Sequence, residues 1–257
     1  MATTSGKGGS MKGTVRIGTS GYVYPHWSGI YYPEDLPEKK WFDYYLRDFD
    51  TVEINNTFYR LPDPEVFEKW GEAAPEGFLY TFKMSRYLTH VKKLKDAPEP
   101  LGNFLSRARG AGRSLGPFLC QLPPRWNVNT ERLENFFKAL PEDDRFVLEF
   151  RDDRWHCEEV QSLLEKYDVT FCIHDHPDIE DCPEWVTSDT VYLRFHGPSE
   201  EEYAGSYPEE FLNRIADKIA KWHGQGLTVF VYFNNDVGGH AVTNALDLKS
   251  MLESDDE

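Results

Sequence analysis

The chain is short of cations, of cysteine and of long apolar runs, and each shortage removes a class of function. Only 28 Lys and Arg stand against 44 Asp and Glu, a formal charge of -16 over 257 residues. Most of the surface therefore repels nucleic acid and anionic lipid, and any polyanion would need a local basic site. The carboxylate excess suits a high-salt host and an ordinary acidic protein equally. Mean hydropathy is -0.61, and no apolar stretch approaches the roughly 20 residues of a transmembrane helix, so a soluble protein with no membrane partner is expected. Cys120, Cys157, Cys172 and Cys182 show no CxxC spacing, and two of them sit inside apolar strand patterns. Reduced thiols are expected rather than a disulfide or zinc framework. The opening MATTSGKGGSMKGT has no apolar signal region. Residues 1–13 are expected to be a flexible leader, residues 251–257 a solvated acidic tail, and the location cytoplasmic.

What is present is an alternation. Short β-rich runs fall at about 14–19, 50–55, 78–84, 117–122, 145–150, 169–174, 190–196 and 227–233. Between most of them lie amphipathic segments of helical period, such as PEVFEKWGEAA, TERLENFFKAL and PEEFLNRIADKIAKWHG. Asn129 or Thr130 is placed to cap one helix, and Gly224 and Gly226 to stop another. Strand and helix in turn imply parallel strands joined by crossover helices. Eight such units in this length favour a single-domain α/β fold, a TIM-barrel-like (β/α)8 barrel spanning residues 14–250.

Strand side chains alternate sides, so each run has two phases. In FVLEFR the apolar phase is Phe146, Leu148 and Phe150, leaving Val147, Glu149 and Arg151 on the other side. In VYLRFH, Tyr192, Arg194 and His196 share the polar side. The same phase elsewhere holds Glu53, Asn55, Lys83, Gln121 and Asn234, all near C-terminal strand ends, where barrel active sites assemble. Two readings fit. The polar set is either an internal ion-pair layer or a catalytic mouth.

Read as a mouth, Glu149, Glu53 and His196 are the candidate proton carriers, while Lys83, Arg151 and Arg194 would hold an anion. Gln121, Asn55, Tyr59, His90, Asn234 and Asn235 would bind the remainder of the substrate. Tyr22 and Trp27, in the aromatic loop TSGYVYPHWSGIYYP, would stack on a sugar face or base unless they are core. The basic loop KMSRYLTHVKKLK is the best local anion site, although a charge run is usually a solvated face. Gly238 and Gly239 mark either a tight turn or an anion site at a helix start. His174, Asp175, His176 and Asp178 could ligate a metal with Glu149 and His196, but the neighbouring cations oppose it, so no metal and no cofactor is expected. No Ser-centred elbow or triad spacing is visible.

The segments IGTSGY, WSGIYYP, VEINNTFYRLP, FKMSRYLTH, CQLPPRW, LEFRDDRW, LRFHG and YFNND with AVTNAL, in this order, resemble the YecE-like family, domain of unknown function 72. The resemblance implies a TIM-barrel-like fold over about residues 14–250. It also points to Glu53, Asn55, Tyr59, Lys83, Thr89, His90, Gln121, Glu149, Arg151, Arg194, His196, Gly197, Asn234, Asn235 and Asn244. Tyr22 stands where that family commonly carries Trp. No reaction follows from the resemblance. The expectation is an enzyme, with hydrolase or lyase chemistry in view, acting on a small anionic, hydroxyl-bearing ligand such as a phosphorylated sugar or nucleotide-like group. Two alternatives stay open: a noncatalytic protein binding single-stranded nucleic acid, and a metal-dependent phosphodiesterase like the endonuclease IV-like barrels.

Overall fold

A computed structural model describes residues 13–199 and 203–254. Eight strands form one all-parallel sheet: β1 Val15–Thr19, β2 Thr51–Ile54, β3 Leu79–Lys83, β4 Leu115–Gln121, β5 Phe146–Glu149, β6 Thr170–His174, β7 Thr190–Phe195 and β8 Thr228–Phe233. Each lies within a residue or two of its sequence expectation. The order runs β1-β8-β7-β6-β5-β4-β3-β2, which brings β1 and β2 together as the closing edges of a barrel. The helices are α1 Trp41–Tyr45, α2 Asn56–Tyr59, α3 Pro64–Ala73, α4 Pro98–Ala108, α5 Thr130–Phe137, α6 Glu158–Lys166, α7 Glu209–Gly224 and α8 His240–Ser254. Asn129 caps α5, its side-chain oxygen accepting from the Arg132 amide at 2.8 Å.

Two departures matter. Residues 175–189 carry β6 to β7 without a helix, so the eightfold alternation is broken at the sixth crossover. The helix α8 runs through Met251 to Ser254, so the expected tail begins as ordered helix. Residues 1–12 and 255–257, which hold nearly all of the expected leader and the end of the tail, lie outside the described residues. No helix among the described residues is long and apolar enough to cross a membrane. All four cysteines are free thiols.

The two strand phases part as alternation requires. Val52, Ile54, Phe146, Leu148, Phe150, Val191, Leu193 and Phe195 pack outward in the main core shared with the helices. Leu79, Leu119, Val147, Cys172, Tyr192, Phe230 and Tyr232 fill the barrel interior as a second, smaller cluster. Above that apolar plug the interior becomes ionic.

Seven seams of the barrel are strand ladders, whereas β1 and β2 meet through one isolated bridge, Ser20 to Glu53. A side chain completes the seam. The Tyr45 hydroxyl receives the Thr19 amide at 3.1 Å and donates to the Thr51 carbonyl at 3.0 Å, so it stands in for a missing ladder bond. The close approach there depends on Gly18, where an added Cβ would lie 2.4 Å from the Thr51 oxygen and 3.1 Å from its Cγ2. Gly18→Ala is expected to cost about 2–3 kcal/mol through forced separation of the seam. Urea unfolding checks this, and an unchanged midpoint would mean the seam can spread freely.

Candidate functional site

β2 and β7 deliver Glu53 and Arg194 from opposite sides of the barrel, and β5 delivers Glu149 between them. Arg194 forks onto Glu53: Nε donates to Oε2 at 3.0 Å and Nη2 to Oε1 at 2.7 Å. Its third nitrogen, Nη1, donates to Glu149 Oε2 at 2.5 Å. Arg151 Nε donates to the other oxygen of Glu149. Tyr192 adds a hydroxyl to Glu53 Oε2 at 2.6 Å, while Ser20 and the Asn55 amide reach Oε1 at 2.9 and 3.1 Å. Glu53 and Glu149 are fully buried and Arg194 nearly so. Sequence reasoning named these charges without their pairing, and it missed Tyr192 and Ser20 as partners.

Burial alone would raise both carboxyls. Against it, the Arg194 guanidinium and the Tyr192 hydroxyl hold Glu53 below the usual value, and Arg151 and Arg194 hold Glu149 well below it. Both acids are ionised and saturated with donors. His196, buried beside them, has its basicity driven well down by burial and then by the guanidiniums, so its ring is neutral. Its Nδ1 accepts from the Asn234 amide at 3.0 Å, and its Nε2 faces Glu149 Oε1 at 3.6 Å.

Lys83 differs from these groups. It ends β3, and the next layer is supplied by α2: Thr57 donates to the Lys83 carbonyl at 2.7 Å, and Phe58 presents its ring 4.6 Å from Nζ. No described acceptor takes a hydrogen bond from Nζ, and it forms no ion pair with a described residue. Burial, then Arg194, bring the amine down to about 7, with Glu149 and Glu53 pulling the other way. Asp175 is the second group tuned toward neutrality, raised to about 6 by burial although the Tyr207 hydroxyl and the His196 amide both donate to it.

The other expected residues scatter. Asn234 and Gln121 belong to the mouth; Gln121 lies beside Glu149 in register on β4. His90 is partly buried on a single π-helical turn, Tyr87–Val91, hydrogen-bonded to Thr89 and edge-on to Phe58. Tyr59 is 79% exposed and lines a cleft of about 490 Å³ with Phe58, Arg86, Tyr87 and Lys92, outside the ionic cluster.

Three expectations are corrected by packing. Trp27 is fully buried and its indole N–H is spent on the Asp236 carbonyl at 2.9 Å, so it is core and offers no ligand face. Tyr22 packs on Phe42 and Tyr45, and its carbonyl receives the Tyr32 hydroxyl, so the aromatic loop serves as a lid on the core. Asn235 is buried, its amide donating to the Gly205 carbonyl and to Asn244, and it pins loops together. The Gly238–Gly239 pair is a turn: both have positive φ, and the Gly239 and Ala241 amides already donate to Asp236 and Asn235. In the basic loop, Lys92 pairs with Asp96 and Lys93 lies over Trp126.

Glu149, His174 and His196 bring one donor atom each within 4.8 Å of one another. They do not fit a metal. Both Glu149 oxygens accept from guanidiniums, and His174 donates from Nε2 to the Phe150 carbonyl while its Nδ1 accepts the His176 amide. An ion placed there would abut two cations.

A family model described as a protein of unknown function, DUF72, matches residues 16–257, a span that includes the acidic end. The UPF0759 protein YunF of Bacillus subtilis is 24% identical over 87% of this chain and 90% of its own length. The UPF0759 protein YecE of Escherichia coli is 30% identical, but the match spans only 46% of this chain and 45% of YecE. Among solved structures, a DUF72 family protein from Thermotoga maritima superposes with a TM-score of 0.84 at 30% identity, covering 93% of this chain and 99% of that one.

Proposed function

This chain belongs to the DUF72 family, and from that premise and its mouth chemistry we propose an enzyme that binds a small anionic, hydroxyl-bearing substrate and moves a proton on it. The observation that carries the reading is the charge arrangement around Lys83. Two carboxylates, Glu53 and Glu149, and two guanidiniums, Arg151 and Arg194, offset one another. The Lys83 amine is left as the uncompensated group, and its charge changes near neutral pH. Glu53 and Glu149 then act by fixing the guanidiniums and the field rather than by exchanging protons themselves. Arg151, whose Nη1 has no described acceptor, is placed to meet the anion. Asn55, Gln121 and Asn234 would read the hydroxyls, and His196 would support them as a neutral hydrogen-bonding ring. A phosphorylated sugar or a nucleotide-like group has the required chemistry.

A nucleic-acid-binding role draws less support, because Lys92 and Lys93 are engaged within the protein and the overall charge is -16. The mouth reading is tested by thermal unfolding of wild type, Lys83→Met and Arg151→Gln with phosphorylated sugars, nucleotides and inorganic phosphate at low salt. A ligand at about 100 times its Kd adds roughly 2.7 kcal/mol, read as a rise of about 5–10 °C in wild type and lost in both variants. A rise of equal size in Lys83→Met would remove Lys83 from the site.

A further inference from the structure

Lysine adds to carbonyl groups only as the neutral amine, and desolvation or a neighbouring cation is what makes that form available. Lys83 has both. Its Nζ lies over the Phe58 ring at 4.6 Å, a face that favours the ammonium and is outweighed by burial and the guanidiniums, with no carboxylate in ion-pair contact among the described residues. The charged groups acting on it are Arg194 on β7, Glu149 on β5, Glu53 on β2 and Arg151 just beyond β5. Its own loop adds His90 and, beside that ring, Arg86. Both guanidiniums are tied to buried carboxylates, so they cannot swing away to relieve the lysine.

We infer that Lys83 is an imine-forming lysine whose substrate is a small aldehyde or ketone bearing an anionic group. The inference rests on the mouth reading above and narrows its substrate class to carbonyl compounds. The Nζ lone pair forms a bond to the carbonyl carbon as the C=O π pair moves to oxygen, and a proton passes from nitrogen to that oxygen. The resulting carbinolamine takes up one more proton and expels water, leaving a protonated C=N bond. Amine, carbonyl and proton thus give iminium and water, with no oxidant or reductant consumed. The positive imine nitrogen would occupy the place of the ammonium, facing Glu53 and Glu149, while Arg151 is positioned for the anionic end. Burial that destabilises the free ammonium is partly relieved once the charge is delocalised along the C=N bond.

The test is reductive trapping on the full chain. Protein is incubated with dihydroxyacetone phosphate or with pyruvate, sodium borohydride is added, and the product is analysed by intact mass and peptide mapping. Borohydride delivers hydride to the imine carbon and fixes a secondary amine. At pH 7 an amine that titrates near 7 is roughly half neutral, against roughly one part in a thousand for a surface lysine, so Lys83 is expected to label roughly 500-fold faster than any other lysine. The adduct should be absent in Lys83→Met and Lys83→Arg whose circular dichroism matches wild type. Label spread over surface lysines without excess at Lys83, or equal labelling of a folded Lys83→Met, overturns the imine. Thermal stabilisation by phosphorylated sugars that depends on Lys83, without trapping, also overturns it while the proton-moving reading survives. Trapping at Lys83 without any response to phosphate esters supports the imine and removes phosphate from the substrate class.

Discussion

Arg194→Ala is expected to lose about 3–5 kcal/mol of unfolding free energy, the largest effect of any single side chain in the mouth. Among the described residues Arg194 is the one group bonded to both buried acids, and it supplies three of their hydrogen bonds. Its removal leaves Glu53 with only neutral donors, Tyr192, Ser20 and Asn55, in a place where no water-exposed surface relieves the charge. Glu149 keeps Arg151 and falls less far. The asymmetry supplies a control. Adding Glu53→Gln to Arg194→Ala should recover part of the loss, because an amide in that position needs no counter-charge. Urea unfolding of the two variants decides between electrostatics and packing. If Arg194→Ala costs under about 1 kcal/mol, or if Glu53→Gln gives no recovery, lost side-chain volume rather than charge pairing explains the site.

Acid is expected to weaken the fold well before the ordinary carboxylate range. His174 and His176 are held down to about 4 by burial, and His196 is held well below its usual value. They stay neutral in the fold but take up protons in the unfolded chain once the pH drops below about 6.5. The unfolded state then binds more protons, so stability rises with pH: it is complete above about 6.5 and is lost as pH falls toward 4. A fall from about 6.5 to about 4 is worth roughly 3 kcal/mol for each of His174 and His176. Asp175 works in the opposite direction. Raised to about 6, it binds its proton earlier in the fold and returns roughly 3 kcal/mol over much of the same window. His174 and His176 against Asp175 leave a net loss on the order of 3 kcal/mol between pH 6.5 and 4, and His196 and His90 add to it in the same sense. The depressed Glu149 and Glu53 extend the loss in the same sense below the carboxylate range. Equilibrium unfolding from pH 8 to 4 would show this as a falling midpoint, flattened in His174→Gln. A midpoint unchanged between pH 7 and 5 would mean these rings titrate normally.

Much of this architecture was legible because a strand writes its two faces into alternate residues. The runs around Glu53, Glu149 and Arg194 declared both their position near a strand end and their side of the sheet. Partnership was not legible. Arg194 and Glu53 stand 141 residues apart, and period-two alternation says which face a residue occupies but not which residue lies opposite across the barrel. The same gap concealed Tyr192, an aromatic in a hydrophobic run whose hydroxyl meets Glu53, and Tyr45, whose hydroxyl reaches from α1 to the β1–β2 seam. The aromatic loop misled for another reason. A ring that stacks on a ligand and a ring that stacks on Trp41, as Tyr32 does at 4.7 Å, have identical local sequence signals. Asp175 appeared as a possible metal ligand because it sits among histidines, whereas its oxygens are taken by Tyr207 and the His196 amide. The missing helix between β6 and β7 followed from an expectation of regular alternation, to which residues 175–189 never contributed a helical period.

The isolated bridge between Ser20 and Glu53 gives the ionic cluster a mechanical duty. Where the other neighbouring strands are zipped by backbone, this pair is riveted by a carboxylate: Glu53 belongs to one lip, Ser20 to the other, and Arg194 braces the rivet from across the lumen. Chemistry and enclosure therefore share an atom, Oε1 of Glu53. A substitution that retunes the mouth at this position also alters the hoop strength of the cylinder, and the two properties cannot drift apart independently.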